Sequence, residues 1–211
     1  MEDYYIYINK FKKSATGKVV VFIDAANLEH SVRDMWVNPK DIPDELKNYT
    51  TDELCWRIDY KNFRKFFADN CDLRTIRFYS ANFRTVSHNK FLTFLRKSLE
   101  FKLETKFLKE YEDHTNEKPH RKANFDVEIS VDATYAIEQY GTFILFSGDC
   151  DFEYLLKFLR GKNRVTIVFS RTGHIAKELP PAANYYFDIA DFRHRFLRIE
   201  ARNNPKAKNP A

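Results

Sequence analysis

Short apolar runs alternate with helical segments along this chain, and this alternation constrains the fold more than any other feature. Three runs, at residues 19–23, 142–146 and 164–169, are rich in β-branched and aromatic side chains. Runs of this kind are typical of strands that are buried on both faces of a parallel sheet. Residues 73–79 and 101–107 are predicted as further strands.

The segments between these strands have helical periodicity. Asp59 precedes a stretch with Phe63, Phe66 and Phe67 on one helical face, which ends at Asn70. Apolar residues recur at helical spacing at 91–95 and 152–159, and Gly161 follows where a helix would end. Because strands and helices alternate, we predict an α/β fold: a three-layer α/β/α sandwich with a central, mostly parallel sheet.

The length and composition favour a single domain of this fold. The chain has 211 residues, of which 44% are hydrophobic, so it can bury a sizeable core. We predict an N-terminal extension at 1–17 and the domain at 18–199. Residues 37–55, which contain Pro39 and Pro43, are predicted as an insertion. Residues 200–211 form a basic tail that we expect to be disordered, and that either attracts phosphate groups or only aids solubility.

The composition also bears on location. The chain contains no apolar run of the roughly 20 residues that span a bilayer, and its start is acidic where a secretory signal is basic and then apolar. The three cysteines lack the paired C-x-x-C spacing of a structural zinc site or a redox motif. We therefore predict a cytoplasmic protein that does not associate with membranes.

Acidic residues follow two of the predicted strands. Asp24 comes directly after the run at 19–23, and Asn27 follows three residues later. Asp149 and Asp151 come shortly after the run at 142–146, with Ser147 at the strand end. In an open parallel sheet, ligands bind beyond the carboxyl ends of the strands. These acids are therefore expected at one edge of the sheet.

A further acid comes from a helix start. Asp126 begins a helical segment, and if that helix faces the same edge, four carboxylates converge there. Such a cluster repels itself unless a divalent cation neutralises it, and oxygen ligands suit Mg²⁺ or Mn²⁺. A metal that activates water and stabilises charge on phosphorus would support phosphodiester hydrolysis. Asp132 lies about 240° around the helix from Asp126, so we assign it a supporting role. Ser147 is assigned a supporting role as well.

Each acid also has a simpler interpretation. Asp is a preferred N-cap, so any one of Asp24, Asp126, Asp149 or Asp151 could serve only to satisfy backbone N–H groups at a helix start. A single helix cap needs only one side chain, however, whereas the segment after the run at 142–146 carries two acids, Asp149 and Asp151. Taken together, the four acids favour a metal site over capping.

Three segments resemble NYN domains of the LabA-like branch. They are Phe22-Ile23-Asp24-Ala25-Ala26-Asn27-Leu28, residues 125–133 (FDVEISVDA) and residues 145–152 (LFSGDCDF). The resemblance covers roughly residues 18–198 and implies a PIN-like fold. It also implies a Mg²⁺- or Mn²⁺-dependent nuclease acting on RNA, with the four acids as ligands and Asn27 holding water or substrate. The family often has glycine at the positions of Ala25 and Cys150, which puts the turn geometry in question because glycine takes a positive φ cheaply.

Other functions fit parts of the pattern. The main alternative is a non-catalytic module that binds RNA or a protein and keeps the acidic pocket. A receiver or a haloacid-type phosphatase would need its acidic pair after the first strand, whereas here the pair comes late. For substrate contact we select Arg84 and Lys122, with single-stranded DNA as a possible substrate besides RNA. A homodimer is a further possibility.

Overall fold

A computed structural model describes residues 2–107, 109–111, 120–122 and 124–202. The tail beyond Arg202 and most of the polar loop before Asp126 lie outside the described residues. The helices are α1 (Glu2–Ser14), α2 (Ala25–Arg33), α3 (Tyr60–Asn70), α4 (Val86–Ser98), α5 (Asp126–Tyr135), α6 (Glu153–Gly161), α7 (Leu179–Ala182) and α8 (Arg193–Phe196). The strands are β1 (Lys18–Asp24), β2 (Leu54–Ile58), β3 (Asp72–Asn82), β4 (Lys102–Phe107), β5 (Lys109–Tyr111), β6 (His120–Lys122), β7 (Thr142–Phe146), β8 (Val165–Ser170), β9 (Tyr185–Asp188) and β10 (Leu197–Ala201).

Six strands form the central sheet, in the order β4-β3-β1-β7-β8-β9. Every neighbouring pair in this sheet is parallel. The chain moves from β1 to β3 and β4 on one side and then returns to β7 on the other, so the strand order reverses between β1 and β7. The carboxyl ends of these two strands border the crevice where open α/β sheets bind ligands. The predicted mostly parallel α/β sheet is confirmed.

Helices cover both faces of the sheet, because its central strands are apolar on both sides. Along β1, Val19, Val21 and Ile23 face a core formed with α1 to α4. Val20 and Phe22 face a second core formed with α5, α6 and α7. The two cores on opposite faces give the three layers that the sequence predicts.

Stacked aromatic rings fill the larger core beneath the strand ends. The rings of Phe146 and Phe169 lie 4.7 Å apart and nearly parallel, and the ring of Phe187 continues the stack 5.3 Å from that of Phe169. All three rings are buried. Burial of aromatic side chains contributes strongly to stability, so this stack stabilises the ends of β7, β8 and β9.

Several elements outside the predicted strands add to this core. Residues 1–17, predicted as an extension, contain α1, whose Phe11 is fully buried against Phe66 and Phe67. The predicted insertion at 37–55 contains three short 3₁₀ turns and the start of β2. Strand β2 pairs antiparallel with β10, so two segments that are far apart in the sequence lie side by side. The domain boundaries themselves stay predictions.

None of the helices in the described part of the chain has the length and apolar character needed to cross a membrane.

Candidate metal centre

Asp24 lies at the end of β1 and begins α2. Its Oδ1 accepts a hydrogen bond from the backbone N–H of Asn27 at 3.3 Å, and its Oδ2 accepts one from the Ser147 hydroxyl at 3.4 Å. The first bond is an N-cap, which satisfies one of the free N–H groups at the helix start. The second bond joins β1 to the end of the neighbouring strand β7.

The turn after β7 carries Asp149 and Asp151. Asp149 accepts a hydrogen bond from the backbone N–H of Asp151 at 3.1 Å, and its own N–H donates to the Ser147 hydroxyl at 3.2 Å. The side chain of Asn27 accepts a hydrogen bond from the Gly148 N–H at 2.8 Å. Asn27 and Ser147 therefore connect the β1–α2 junction to this turn, and the functional roles predicted for them stay predictions.

Asp126 reaches the same edge from the first turn of α5. Its N–H donates to the side chain of Asn124 at 3.0 Å, which fixes the helix start. Burial, followed by the nearby charges of Asp149 and Asp151, raises the pKa of the Asp126 carboxyl, whereas its bond with Asn124 opposes the shift. Besides its burial, the charges of Asp126 and Asp149 raise the pKa of Asp24. The structure brings the four predicted acids together.

The electrostatics of this cluster disfavour four negative charges. Burial, followed by the charges of Asp126 and Asp149, raises the pKa of Asp24 to about 6, although its bonds from Asn27 and Ser147 oppose the shift. Burial also raises the pKa of Asp126. Without a cation, the folded protein holds these carboxylates in their charged form at a cost in free energy.

The donor set fits a divalent ion. Potential ligand atoms of Asp149, Cys150 and Asp151 all lie within 4.8 Å of one another. Carboxylate oxygens suit Mg²⁺ and Mn²⁺, whereas a thiol is a soft ligand and does not. Desolvation, followed by the charges of Asp149 and Asp151, raises the pKa of the Cys150 thiol, which favours its protonated form. The carboxylates, rather than Cys150, are suited to hold the ion.

Capping explains part of the acidic cluster. Asp24 and Asp149 are N-caps, of α2 and of the 3₁₀ turn Cys150–Phe152 respectively. The residue at the cap position of α5, however, is Phe125, so Asp126 lies inside the helix. Asp151 lies inside the 3₁₀ turn. Capping therefore leaves two of the four acids unexplained.

Asp132 has different partners. Its Oδ2 is 2.6 Å from the guanidinium of Arg77 and accepts a hydrogen bond from the Tyr79 hydroxyl at 2.8 Å. Both partners belong to β3, and about 240° of helical rotation separates Asp132 from Asp126. Asp132 therefore holds α5 against the sheet and so helps to place Asp126.

The two predicted substrate residues differ in what the structure describes. Arg84 is exposed in the loop after β3, with its guanidinium 4.0 Å above the ring of Phe107. The backbone N–H of Arg84 bonds to the side chain of Asn82, and its φ of 54° is unusual for a non-glycine residue. The backbone of Lys122 forms part of β6, but its side chain lies outside the described residues.

The two departures from glycine do not strain the site. In the described part of the chain, the non-glycine residues with a positive φ are Arg84, Glu100 and Asn163. Ala25 and Cys150 therefore have ordinary backbone conformations that need no glycine. The position that does need one is Gly148, because a Cβ there would lie 2.0 Å from the backbone oxygen of His174. No sequence pattern indicates this contact, because it is made between distant segments.

Asn in place of Asp24 is expected to stabilise the metal-free protein at pH 8 by about 1–3 kcal/mol. The pKa of Asp24 is raised to about 6 by folding, so its contribution to stability falls as pH rises from about 4 to 6, and the full cost is present above that range. Asn removes this cost and can still cap α2. Urea denaturation in EDTA at pH 8 would measure the change. The difference should vanish at pH 4, and a variant that is less stable at pH 8 would contradict the result.

Comparisons with known proteins agree with this fold and identify the family of the chain. The fold is that of an α/β domain with clustered acids at the carboxyl edge of a parallel sheet. The family model "NYN domain" matches residues 18–190, and this chain belongs to the NYN domain family. The NYN/PIN-like family is generally one of nucleases, which typically use divalent metals.

Two relatives extend the comparison. The "Low amplitude and bright protein LabA" of Synechococcus elongatus is 31% identical over 164 residues, which cover 77% of this chain and 88% of that protein. A crystal structure of a protein of unknown function from Vibrio parahaemolyticus has the same fold, with a TM-score of 0.63. That likeness covers 86% of this chain and 96% of the other at 19% identity, so it supports the fold alone.

Proposed function

We propose that this protein is a Mg²⁺- or Mn²⁺-dependent ribonuclease that hydrolyses phosphodiester bonds in single-stranded RNA. The observation that carries the proposal is the convergence of four carboxylates from β1, α5 and the turn after β7 at the sheet edge where such folds bind ligands. Their mutual repulsion is the cost expected of a site that is built for a cation.

Each residue has a separate part in this proposal. Asp24, Asp126, Asp149 and Asp151 hold the metal, which supplies activation of water and stabilisation of charge on the phosphoryl group when bound. Asn27 and Ser147 fix the orientation of Asp24 and of the turn that carries Asp149. Asp132 positions α5 through Arg77 and Tyr79. Arg84 and Lys122 neutralise phosphate groups of the strand, and Phe107 with Arg84 offers a surface for a base.

Cleavage of labelled single-stranded RNA, with the DNA of the same sequence alongside, tests the proposal directly. Purified protein should cut RNA in Mg²⁺ or Mn²⁺ and should not cut it in EDTA. Preferential cutting of DNA would make single-stranded DNA the substrate. Binding of RNA without cutting would favour the alternative function, a non-catalytic module that retains the acidic pocket.

Metal binding should also be visible without a substrate. At a Mn²⁺ concentration about 100 times the Kd, preferential binding to the folded state adds about 2.7 kcal/mol, which for a domain of this size raises the Tm by about 5–10 °C. Differential scanning calorimetry with Mn²⁺, Mg²⁺ or EDTA would measure the shift. A Tm that is equal in all three would argue against a metal site.

Two further expectations need their own experiments. The cysteines Cys55, Cys71 and Cys150 are free thiols, in accord with the cytoplasmic location that we propose and that localisation of a tagged protein would test. A homodimer, which could widen the substrate groove, would be detected by sedimentation velocity.

A further inference from the structure

A cavity outside the acidic cluster lies beside α2. Its volume is about 600 Å³, and it opens between α2, the β2–α3 junction, α4 and β10. Its lining includes three acids, three basic residues and three aromatic rings: Glu29, Asp59, Glu200, Arg57, Lys61, Arg198, Tyr60, Phe91 and Phe94. Small-molecule sites have this size, and a lining of charged groups beside aromatic rings suits a polar ligand that also has a flat ring.

Glu29 supplies a hydrogen-bond acceptor to this cavity. The buried hydroxyl of Tyr60 donates to Oε1 of Glu29 at 3.4 Å. Desolvation raises the pKa of this carboxyl, and the charge of Arg57 and the bond from Tyr60 oppose the shift. A carboxylate has about four acceptor positions, so after the bond from Tyr60 it still has the capacity to bind two parallel donors.

Aromatic rings form the walls beside this carboxylate. The rings of Tyr60 and Phe91 lie 5.3 Å apart, and the ammonium group of Lys61 lies 5.8 Å from the centre of the Phe94 ring. Phe91 and Phe94 are only partly buried, so part of each ring faces the opening. Rings of this kind provide stacking surfaces for nucleobases, and nearby basic groups attract phosphates.

These chemical features match one base better than the others. Guanine presents two adjacent donors on its Watson–Crick edge, the ring N1–H and the exocyclic amino group, which fit the two oxygens of a carboxylate. Adenine and cytosine place an acceptor beside their amino group, and uracil has a single N–H between two acceptors. A carboxylate, which only accepts, repels those acceptors.

We propose that this cavity binds a guanine base of the nucleic-acid substrate, with Glu29 on its Watson–Crick edge and Phe94 against its face. The inference rests on the proposed nuclease function, because it treats the base as part of the strand to be cut. Glu29 follows Asp24 by five residues, or about 7 Å along α2. The cavity and the candidate metal centre therefore lie along the same helix, and the bound guanine would belong to a nucleotide near the cleaved bond.

Binding measured in EDTA tests this inference separately from catalysis. Isothermal titration calorimetry would compare GMP with AMP, CMP and UMP on the full-length protein. We expect GMP to bind at least about 10 times more tightly than the other three, and Glu29→Gln to remove most of that preference. Phe94→Leu, which keeps an apolar side chain but removes the ring, should weaken the binding of GMP. Glu45→Gln, at an exposed carboxylate in the segment before β2, is the matched control and should bind as the parent protein does.

The same measurement distinguishes a base in a strand from a free nucleotide. A short RNA with one guanine should compete with GMP for the cavity, whereas the same RNA with adenine in its place should not. Equal affinity for GMP and AMP, or GMP binding that is unchanged in Glu29→Gln, would overturn the inference. Binding of GMP with no competition from guanine-containing RNA would also overturn it, in favour of a free nucleotide as the ligand. Since no metal is present, a failure to cut RNA would count against the proposed nuclease alone.

Discussion

Asp149→Asn is expected to reduce metal-dependent cleavage of RNA by more than about 100-fold. Loss of residues that only support metal ligands typically costs 10–100-fold, so the loss of a ligand should cost more. Asn has one neutral oxygen in place of a charged carboxylate, but it caps helices as well as Asp does. The turn at residues 150–152, which begins with the Asp149 cap, should therefore keep its shape. Single-turnover cleavage in saturating Mn²⁺ would measure the loss.

The control for this variant is Asp52→Asn, at an exposed acid outside the cluster. It should cleave at the parental rate. The Mn²⁺-dependent rise in Tm should also disappear in Asp149→Asn and persist in Asp52→Asn. Asp149→Asn with parental activity would refute the assignment of this residue as a ligand. A loss of activity without a loss of metal binding would instead give Asp149 a role in contacting the substrate.

Gly148→Ala is expected to destabilise the fold and to abolish cleavage. The new Cβ would lie 2.0 Å from the backbone oxygen of His174 and 2.8 Å from the hydroxyl of Ser170. The first of these atoms belongs to the backbone, so one of the two loops must move. Overpacking of this kind costs about 1–3 kcal/mol, and more where backbone must shift. Because Gly148 also donates to Asn27, the movement would displace Asp149 from the acidic cluster.

Gly161→Ala is the matched control for this substitution. Gly161 ends α6, and a Cβ there would meet nothing within 4 Å. Ala favours helix more than Gly does by about 1 kcal/mol, so this variant should be as stable as the parent or more stable. Urea denaturation and the cleavage assay would compare the two. Gly148→Ala with parental stability would show that the loops can relax around the extra carbon.

The central strands could be predicted because their burial appears directly in the sequence. Strands β1 and β7 are covered by helices on both faces, so nearly every side chain is apolar, and the runs at 19–23 and 142–146 stand out. The helix after Asp59 was also predicted with its cap, since capping and helical periodicity are local signals. The position of Asp24 at the end of β1 follows from the same pattern.

Elements that depend on distant partners could not be predicted. Strand β9 has four residues, of which only Phe187 is buried. Four residues are too few to show a periodic pattern of apolar side chains. Helix α1 is rich in charged and tyrosine residues, and its role depends on Phe11 meeting rings of α3. Strand β2 pairs with β10 at the far end of the described chain. No local pattern encodes such pairings, because their stability comes from contacts between distant segments.

Part of the candidate site could also be predicted from the sequence, and part of it could not. Asp24, Asp149 and Asp151 follow strands, and adjacent parallel strands end at one edge. Asp126 comes from a helix, so its place beside them depended on how α5 packs, which the sequence alone left conditional. The contact of Gly148 with His174 and the cavity beside Glu29 had no sequence signal. Each is made by segments that come together only when the chain folds.

The bonds that hold Asp24 and Asp149 also bear on how quickly a cation can enter. One oxygen of each carboxylate is fixed by a backbone N–H a few residues further along the chain. These side chains are thus already aimed before any ion arrives, and little rearrangement should accompany its capture. Stopped-flow mixing with Mn²⁺ should then give a single fast phase whose rate rises linearly with ion concentration, with no slow step at a plateau.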